Sequence, residues 1–209
     1  MGIPVMILGK SGSGKSASLR NFEPEEISIF NVAGKPLPFR KKLPLVNTSN
    51  YATIEAAMKQ SKKKSFVIDD SQYLMCFESF DKAKEVGYGK FTDIALNFKT
   101  LISFVINVLP EDIIVYFLHH TDIGDDGSIK AKTIGKMLDS QLTVEGLFSI
   151  VLLAQTDGNN HKFITQSDGY TTAKSPMDMF EREIDNDLKI VDQKIREYYD
   201  LNNKEDKKQ

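Results

Sequence analysis

A chain of 209 residues with 41% hydrophobic and 27% charged content has the make-up of an ordinary globular domain, which excludes a disordered or fibrous chain. A formal net charge of −2 removes the basic bias that many nucleic-acid binders show, so any such binding must come from local patches. A single cysteine, Cys76, excludes an intrachain disulfide, and its neighbours Leu74, Met75 and Phe77 predict a buried helical thiol.

In chain order, Ile3 to Leu8 reads as a buried parallel strand, and a helix is expected from Gly14 to about Asn21. Ile27 to Val32 reads as a second strand, and Tyr51 to Lys64 as a helix capped by Ser49 or Asn50. Phe66 to Ile68 is a third strand that runs into Asp69 and Asp70. Apolar residues recur at three- and four-residue steps from Phe91 to Leu109, which predicts one helical face ended by Pro110. Ile113 to Leu118 and Phe148 to Ala154 are further strands, separated by a polar, glycine-containing segment. Lys162 to Gln166 and Tyr170 to Ala173 flank a Ser-Asp-Gly turn and suggest a hairpin, and a last helix is expected from about Met177 to Tyr199.

Alternating strands and helices predict an α/β fold with a mostly parallel central sheet flanked by helices. One domain is expected over residues 1–200, followed by a polar tail at 201–209. The apolar runs Ile113 to Leu118 and Leu101 to Leu109 fall short of the roughly 20 residues that cross a bilayer, so no transmembrane helix or membrane partner is expected. Gly9 and Lys10 interrupt the first apolar run, so no signal peptide is expected and the reading is cytoplasmic.

The chemistry begins at Gly9-Lys10-Ser11-Gly12-Ser13-Gly14-Lys15-Ser16, which fits G-x-x-x-x-G-K-[ST] at every fixed position. Glycines let backbone N–H groups converge on phosphate oxygens, and a following helix, through Ala17, adds its positive end. Lys15 then meets the β- and γ-phosphates of ATP, and Ser16 offers a hydroxyl to Mg²⁺. Asp69, at the end of a buried strand, is the candidate metal-side carboxylate, and Asp70 the candidate that polarises the attacking water. His119 and His120 follow a strand at the edge where α/β sheets bind ligands. Consecutive strand residues face opposite ways, which makes them a poor two-histidine metal site and leaves His120 as a candidate γ-phosphate sensor.

The glycine-rich motif resembles a known family when taken with Asn31-Val32-Ala33-Gly34-Lys35-Pro36-Leu37-Pro38-Phe39-Arg40, Val67-Ile68-Asp69-Asp70-Ser71-Gln72-Tyr73-Leu74 and Lys174-Ser175-Pro176-Met177. The family is that of the phage-borne RecA-like P-loop ATPases of the single-strand annealing and recombination group, nucleotide-binding proteins with an AAA domain. The resemblance covers residues 1 to about 200. It implies a RecA-like P-loop NTPase core, ATP-dependent binding to single-stranded DNA, and homo-oligomers in a ring or filament. It also implies a single-strand-binding protein as a further partner, a place in the host cytoplasm, and support of annealing or strand exchange in phage recombination. By position, Lys15 and Ser16 are its P-loop pair, Asp69 its second acidic motif, and His120 its sensor-strand residue.

Two departures stand out. Gly9 opens the motif, so no N-terminal polymerisation segment is expected, and strand two ends in Asn31 and Val32 where recombinases of this type keep a catalytic glutamate. Slow, DNA-stimulated hydrolysis is the expectation, with Asp70 as a substitute base. Lys132, Lys136 and Lys174 are candidates for a cation supplied to a neighbouring subunit, and Lys35, Arg40, Lys132 and Lys136 for DNA contacts. The rival readings are an ATP-dependent switch on a protein partner and a small-molecule or nucleotide kinase. Arginine usage argues against the kinase, because none occurs from Lys41 to Glu181.

Overall fold

The computed structural model describes residues 1–135, 137–158 and 160–201. Strands β1 (Ile3–Gly9), β2 (Ile27–Asn31), β3 (Leu45–Asn47), β4 (Ser65–Asp69) and β5 (Ile114–Ile123) come first in the chain. They are followed by β6 (Ile129–Ala131), β7 (Ile150–Asp157), β8 (Asn160–Ile164) and β9 (Glu183–Asp185). Among the described residues they form one sheet in the order β3-β2-β4-β5-β1-β7-β8-β9, with β6 paired to the far end of β5. Pairing is parallel from β3 to β7 and antiparallel at β5–β6, β7–β8 and β8–β9, so the fold is α/β with a mixed, mostly parallel sheet.

Side-chain alternation splits each central strand between two cores. Met6, Leu8, Phe66, Ile68 and Phe117 face helices α1 (Tyr51–Gln60), α2 (Gln72–Asp81) and α3 (Gly89–Val108). Val5, Ile7, Val67, Tyr116 and Leu118 face α4 (Leu188–Tyr198) and the short turn that carries Leu19. Helix α3 is 20 residues long and, by length and composition alone, apolar enough to cross a bilayer. Its stripe of Ile94, Phe98, Leu101, Ile102 and Val105 is buried on the sheet, as in a core helix.

Several elements depart from the periodicity. The expected helix at Gly14 to Asn21 is a 3₁₀ turn, Ser16–Leu19. Ser18 donates from its hydroxyl to the Lys15 carbonyl at 2.5 Å, which takes a backbone acceptor from helix propagation, and Pro24 lies just beyond. Helix α1 ends at Gln60 rather than Lys64; Asn50 is its cap, accepting from Thr53 N–H at 2.9 Å. The hairpin expected across Ser167-Asp168-Gly169 is absent among the described residues. Asp168 accepts from Tyr170 and Thr171 N–H to close a turn, while β8 pairs with β7 and β9. The last helix starts at Leu188, because Glu183–Asp185 is taken by the sheet and Asp187 caps the helix from its side chain. Leu201 is buried against the second core, so the fold extends one residue past its expected boundary, and 202–209 lie outside the described residues. Cys76 is half-buried rather than buried.

A buried polar tether fixes α4 to the N-terminal edge of the sheet. Asp192 Oδ1 accepts from Ser65 Oγ at 2.6 Å and Tyr116 Oη at 3.0 Å, and its Oδ2 accepts from Arg196 Nε at 2.7 Å. Arg196 also donates to the carbonyls of Asp112 and Lys64, both at 3.0 Å. Removing one member leaves buried charge uncompensated, so Asp192→Ala is expected to lower the unfolding free energy by about 3 kcal/mol. Urea unfolding measures this, and a loss below about 1 kcal/mol would mean that water replaces the carboxylate at no cost.

Candidate functional site

The loop between β1 and the 3₁₀ turn closes on itself before any ligand is considered. At its first glycine, Gly9, a Cβ would lie 2.3 Å from Ser13 Oγ and 3.1 Å from the Ala154 carbonyl, so a side chain there must displace both. Gly14 has φ +94°, and a Cβ there would lie 2.8 Å from His161 Nδ1. Lys15 donates from Nζ to the carbonyls of Gly9 at 2.8 Å and Lys10 at 3.0 Å, folding back on the loop that carries it. It is only 6% exposed, more deeply set than a surface phosphate ligand would be. Burial lowers its pKa to about 8, outweighing the opposite pull of the Asp70 and Asp69 carboxylates. With only four residues in the 3₁₀ turn, anion affinity here rests on the loop amides and the lysine rather than on a helix dipole.

Ser16 donates from Oγ to Asp69 Oδ1 at 2.8 Å. Burial pushes the Asp69 carboxyl up, against the Ser16 hydrogen bond, and the neighbouring Asp70 charge adds to the rise. Asp69 ends β4 on the same sheet face as Val67. Asp70 adopts φ +60°, a left-handed turn that aspartate tolerates, so its carboxylate also reaches the cleft instead of the opposite face. Asp70 Oδ2 accepts from Lys35 Nζ at 2.9 Å and Oδ1 from His120 Nε2 at 3.0 Å. Burial would raise Asp70, yet these two donors and the Lys35 charge overcome it and hold the carboxyl at about 2. The bond to Asp70 in turn raises Lys35.

The two histidines part as strand alternation requires. His119 is fully buried against Phe98, donates from Nε2 to the Lys132 carbonyl at 2.9 Å and so accepts from the Ser71 hydroxyl at Nδ1. Burial lowers it to about 4, which keeps it neutral. His120 turns into the cleft, with the Tyr73 ring edge-on at 5.6 Å.

The cleft, about 300 Å³, is lined by Ser11, Gly12, Gly14, Lys15, Ser16, Ala17, Lys35, Asp69, Asp70 and His120 among others. Gly9 and Lys10 contribute carbonyls to Lys15, and Ser13 is buried beneath the loop. Larger surface clefts of about 580 and 560 Å³, beside Ile184 and Ile190 and beside Ile106 and Tyr199, contain no part of the glycine-rich loop. Lys35, a candidate DNA contact from sequence, lines the cleft. Arg40 and Lys132 are exposed outside it, Lys174 sits outside it in a bridge to Val151, and Lys136 lies outside the described residues.

Three further residues contribute: Asn31, noted in the sequence only as the end of strand two, and His161 and Asn186, which had no sequence signal. Asn31 donates from Nδ2 to the Lys35 carbonyl at 2.8 Å and to Asn47 Oδ1 at 2.9 Å, which anchors the loop bearing Lys35. His161, on β8, donates from Nδ1 to the Ser13 carbonyl at 3.3 Å. Asn186 is 2% exposed beside Gly14, and neither of its side-chain polar atoms has a hydrogen-bond partner; Ser13 Oγ is likewise unpartnered. Orphaned polar groups around a glycine-rich loop are what a site completed by a polar ligand looks like.

Among the described residues no group of three or more His, Cys, Asp or Glu forms a metal cage. One hydroxyl and one carboxylate fit Mg²⁺, which keeps several waters and takes the rest of its ligands from substrate phosphates. No protein-family model matches the chain, and no curated protein matches it.

The lowered pKa of Lys15 has a direct consequence. Below about pH 8 the ammonium is present before a polyanion arrives, whereas above it binding must take up a proton. If the loop binds ATP, its affinity is expected to fall about tenfold per pH unit above that value, read by calorimetry. A flat profile up to pH about 10, where an ordinary lysine begins to titrate, would mean that Lys15 is not desolvated.

Proposed function

We propose that the chain binds Mg²⁺–ATP at its Gly9–Ser16 P-loop and hydrolyses it, as an ATPase with a RecA-like core that acts on single-stranded DNA in recombination. The observation that carries this reading is the convergence of Lys15, Ser16 and Asp69 at the C-terminal edge of a parallel sheet, with Ser16 bonded to Asp69 at 2.8 Å. Lys15 would exchange its two loop carbonyls for phosphate oxygens. Ser16 and Asp69 would hold Mg²⁺, which supplies positive charge against the β- and γ-phosphate oxygens. In the hydrolytic step the oxygen of water bonds to the γ-phosphorus. The bond to the bridging oxygen breaks with its electron pair left on the β-phosphate, and the proton of water passes to the Asp70 carboxylate, oriented by His120.

Hydrolysis is favoured over transfer to a second small molecule because no arginine lines the cleft among the described residues. Arg20 donates to the Asn186 carbonyl and Arg196 to Asp192, which commits both to structure. A DNA partner is supported by the stitching of the exposed Lys132 segment to the sensor strand. The Lys132 N–H donates to the His120 carbonyl at 2.9 Å, and its own carbonyl accepts from His119. A strand of DNA on that segment would act on the residue beside the γ-phosphate.

Phosphate release from ATP and Mg²⁺ is the test, with and without single-stranded DNA. Turnover stimulated by DNA is expected, with a loss of about 100-fold or more in Lys15→Ala. Turnover that requires a nucleotide acceptor would replace the ATPase with a kinase, and tight ATP binding with neither turnover nor DNA binding would leave a switch. Asp69→Asn is expected to keep ATP binding without metal and to lose the gain that Mg²⁺ gives, as read by titration with and without the ion.

A further inference from the structure

We propose that Lys35 is a catalytic cation acting within its own subunit: it leaves Asp70 for the γ-phosphate of the bound triphosphate. This rests on the Mg²⁺–ATP reading of the same cleft.

The Lys35 backbone is anchored while its side chain is free to swing. Asn31 holds its carbonyl, Gly34 N–H donates to the Asn31 carbonyl at 3.3 Å, and Pro36 and Pro38 stiffen the segment beyond. The Lys35 side chain itself is 61% exposed and ends 2.9 Å from Asp70 Oδ2. Its ammonium stands 5.1 Å from the centre of the Tyr73 ring, an attraction toward the ring face that needs no fixed hydrogen-bond geometry. A lysine is suited to such a swing because its ammonium is a point charge on a flexible stem.

Charge decides the direction of the exchange. Asp70 presents a single negative charge already shared between two donors, whereas a γ-phosphate brings more charge and three oxygens. When Lys35 moves, His120 still holds Oδ1, so Asp70 stays oriented and only Oδ2 is released. A diphosphate, lacking the γ-group, leaves Lys35 on Asp70. Lys35 remains an ammonium throughout: the proton gained by Asp70 comes from water, and the electron pair of the broken bond stays on the β-phosphate. Because Lys35 and Lys15 line one cleft of one chain, no cation from a neighbouring copy is required for this step.

The experiment compares wild type, Lys35→Met and Lys35→Arg for ATP affinity and phosphate release, then mixes Lys35→Met with Lys15→Ala. Lys35→Met is expected to bind ATP within about threefold of wild type and to turn over about 100-fold more slowly, a loss in kcat and not in KM. Lys35→Arg should recover part of the rate, and the mixture should stay inactive because neither chain has both lysines. Full turnover by Lys35→Met, or activity restored in the mixture through a neighbour's Lys35, overturns the proposal while leaving the ATP site intact. Failure of the wild type to bind ATP overturns the underlying reading instead. Because the Lys35 side chain is exposed, its replacement leaves the fold intact, and an unchanged thermal transition checks this.

Discussion

The hydrogen bond from Ser16 to Asp69 joins two strands that do not touch. In the sheet, β5 lies between β1 and β4, so the loop after β1 and the carboxylate ending β4 must reach over the end of β5 to meet. That reach is possible only because the register aligns the strand ends: Gly9 pairs with His120, Ile68 with Phe117, and Asn31 with Asp69. A shift of one residue in any of these pairings would turn the site's side chains to the other face of the sheet. Burial of Met6, Leu8, Phe66, Ile68 and Phe117 on one side and Val5, Ile7, Val67 and Leu118 on the other makes such a shift costly, so the hydrophobic pattern holds the chemistry in place.

Within that frame, adjacent carboxylates acquire different characters. Asp69 is buried beside the Ser16 hydroxyl and the like charge of Asp70, so its charged form lacks a full partner and a cation would stabilise it. Asp70 is saturated by a lysine and a histidine and stays ionised to low pH. Two neighbouring acids driven in opposite directions by their surroundings are the usual basis for a division of labour. The division depends on the left-handed turn at Asp70, since a continued strand would have pointed the second carboxylate into the α2–α3 side.

The glycine-rich loop and the acidic pair were legible in the sequence because their chemistry is local: fixed spacing sets the loop, and an apolar run before Asp69 sets the strand. Strands β1, β2, β4, β5 and β7 and helix α3 were legible for the same reason, through apolar runs and a helical period. The misses arise where distant residues compete for the same backbone. The helix predicted after Gly14 loses to Ser18 bonding its own turn, while Arg20 and Asn21 are drawn to the 186–187 segment. Lys162 to Ile164 has strand character, but its partner is β7 rather than the nearer Tyr170 segment, which local patterning does not encode. Lys35 looked like one cation in a basic loop; its place in the cleft follows from the parallel pairing of β2 with β4 and from Asn31 holding its carbonyl.

The two ends of the sheet also differ in how completely their polar groups are satisfied. At the N-terminal edge, Asp192, Arg196, Ser65 and Tyr116 form a network in which each named group has a partner, and it fixes α4 across β4 and β5. At the C-terminal edge, Ser13 and Asn186 are buried without partners, and Lys15 is desolvated enough to weaken its hold on a proton. Unsatisfied groups destabilise a fold by about 1–3 kcal/mol each, so they persist where the rest of the structure supplies the margin and where a ligand can use them. The tether at one edge and the unsatisfied loop at the other are thus complementary: α4 and its capping segment keep the unpartnered Asn186 side chain against Gly14.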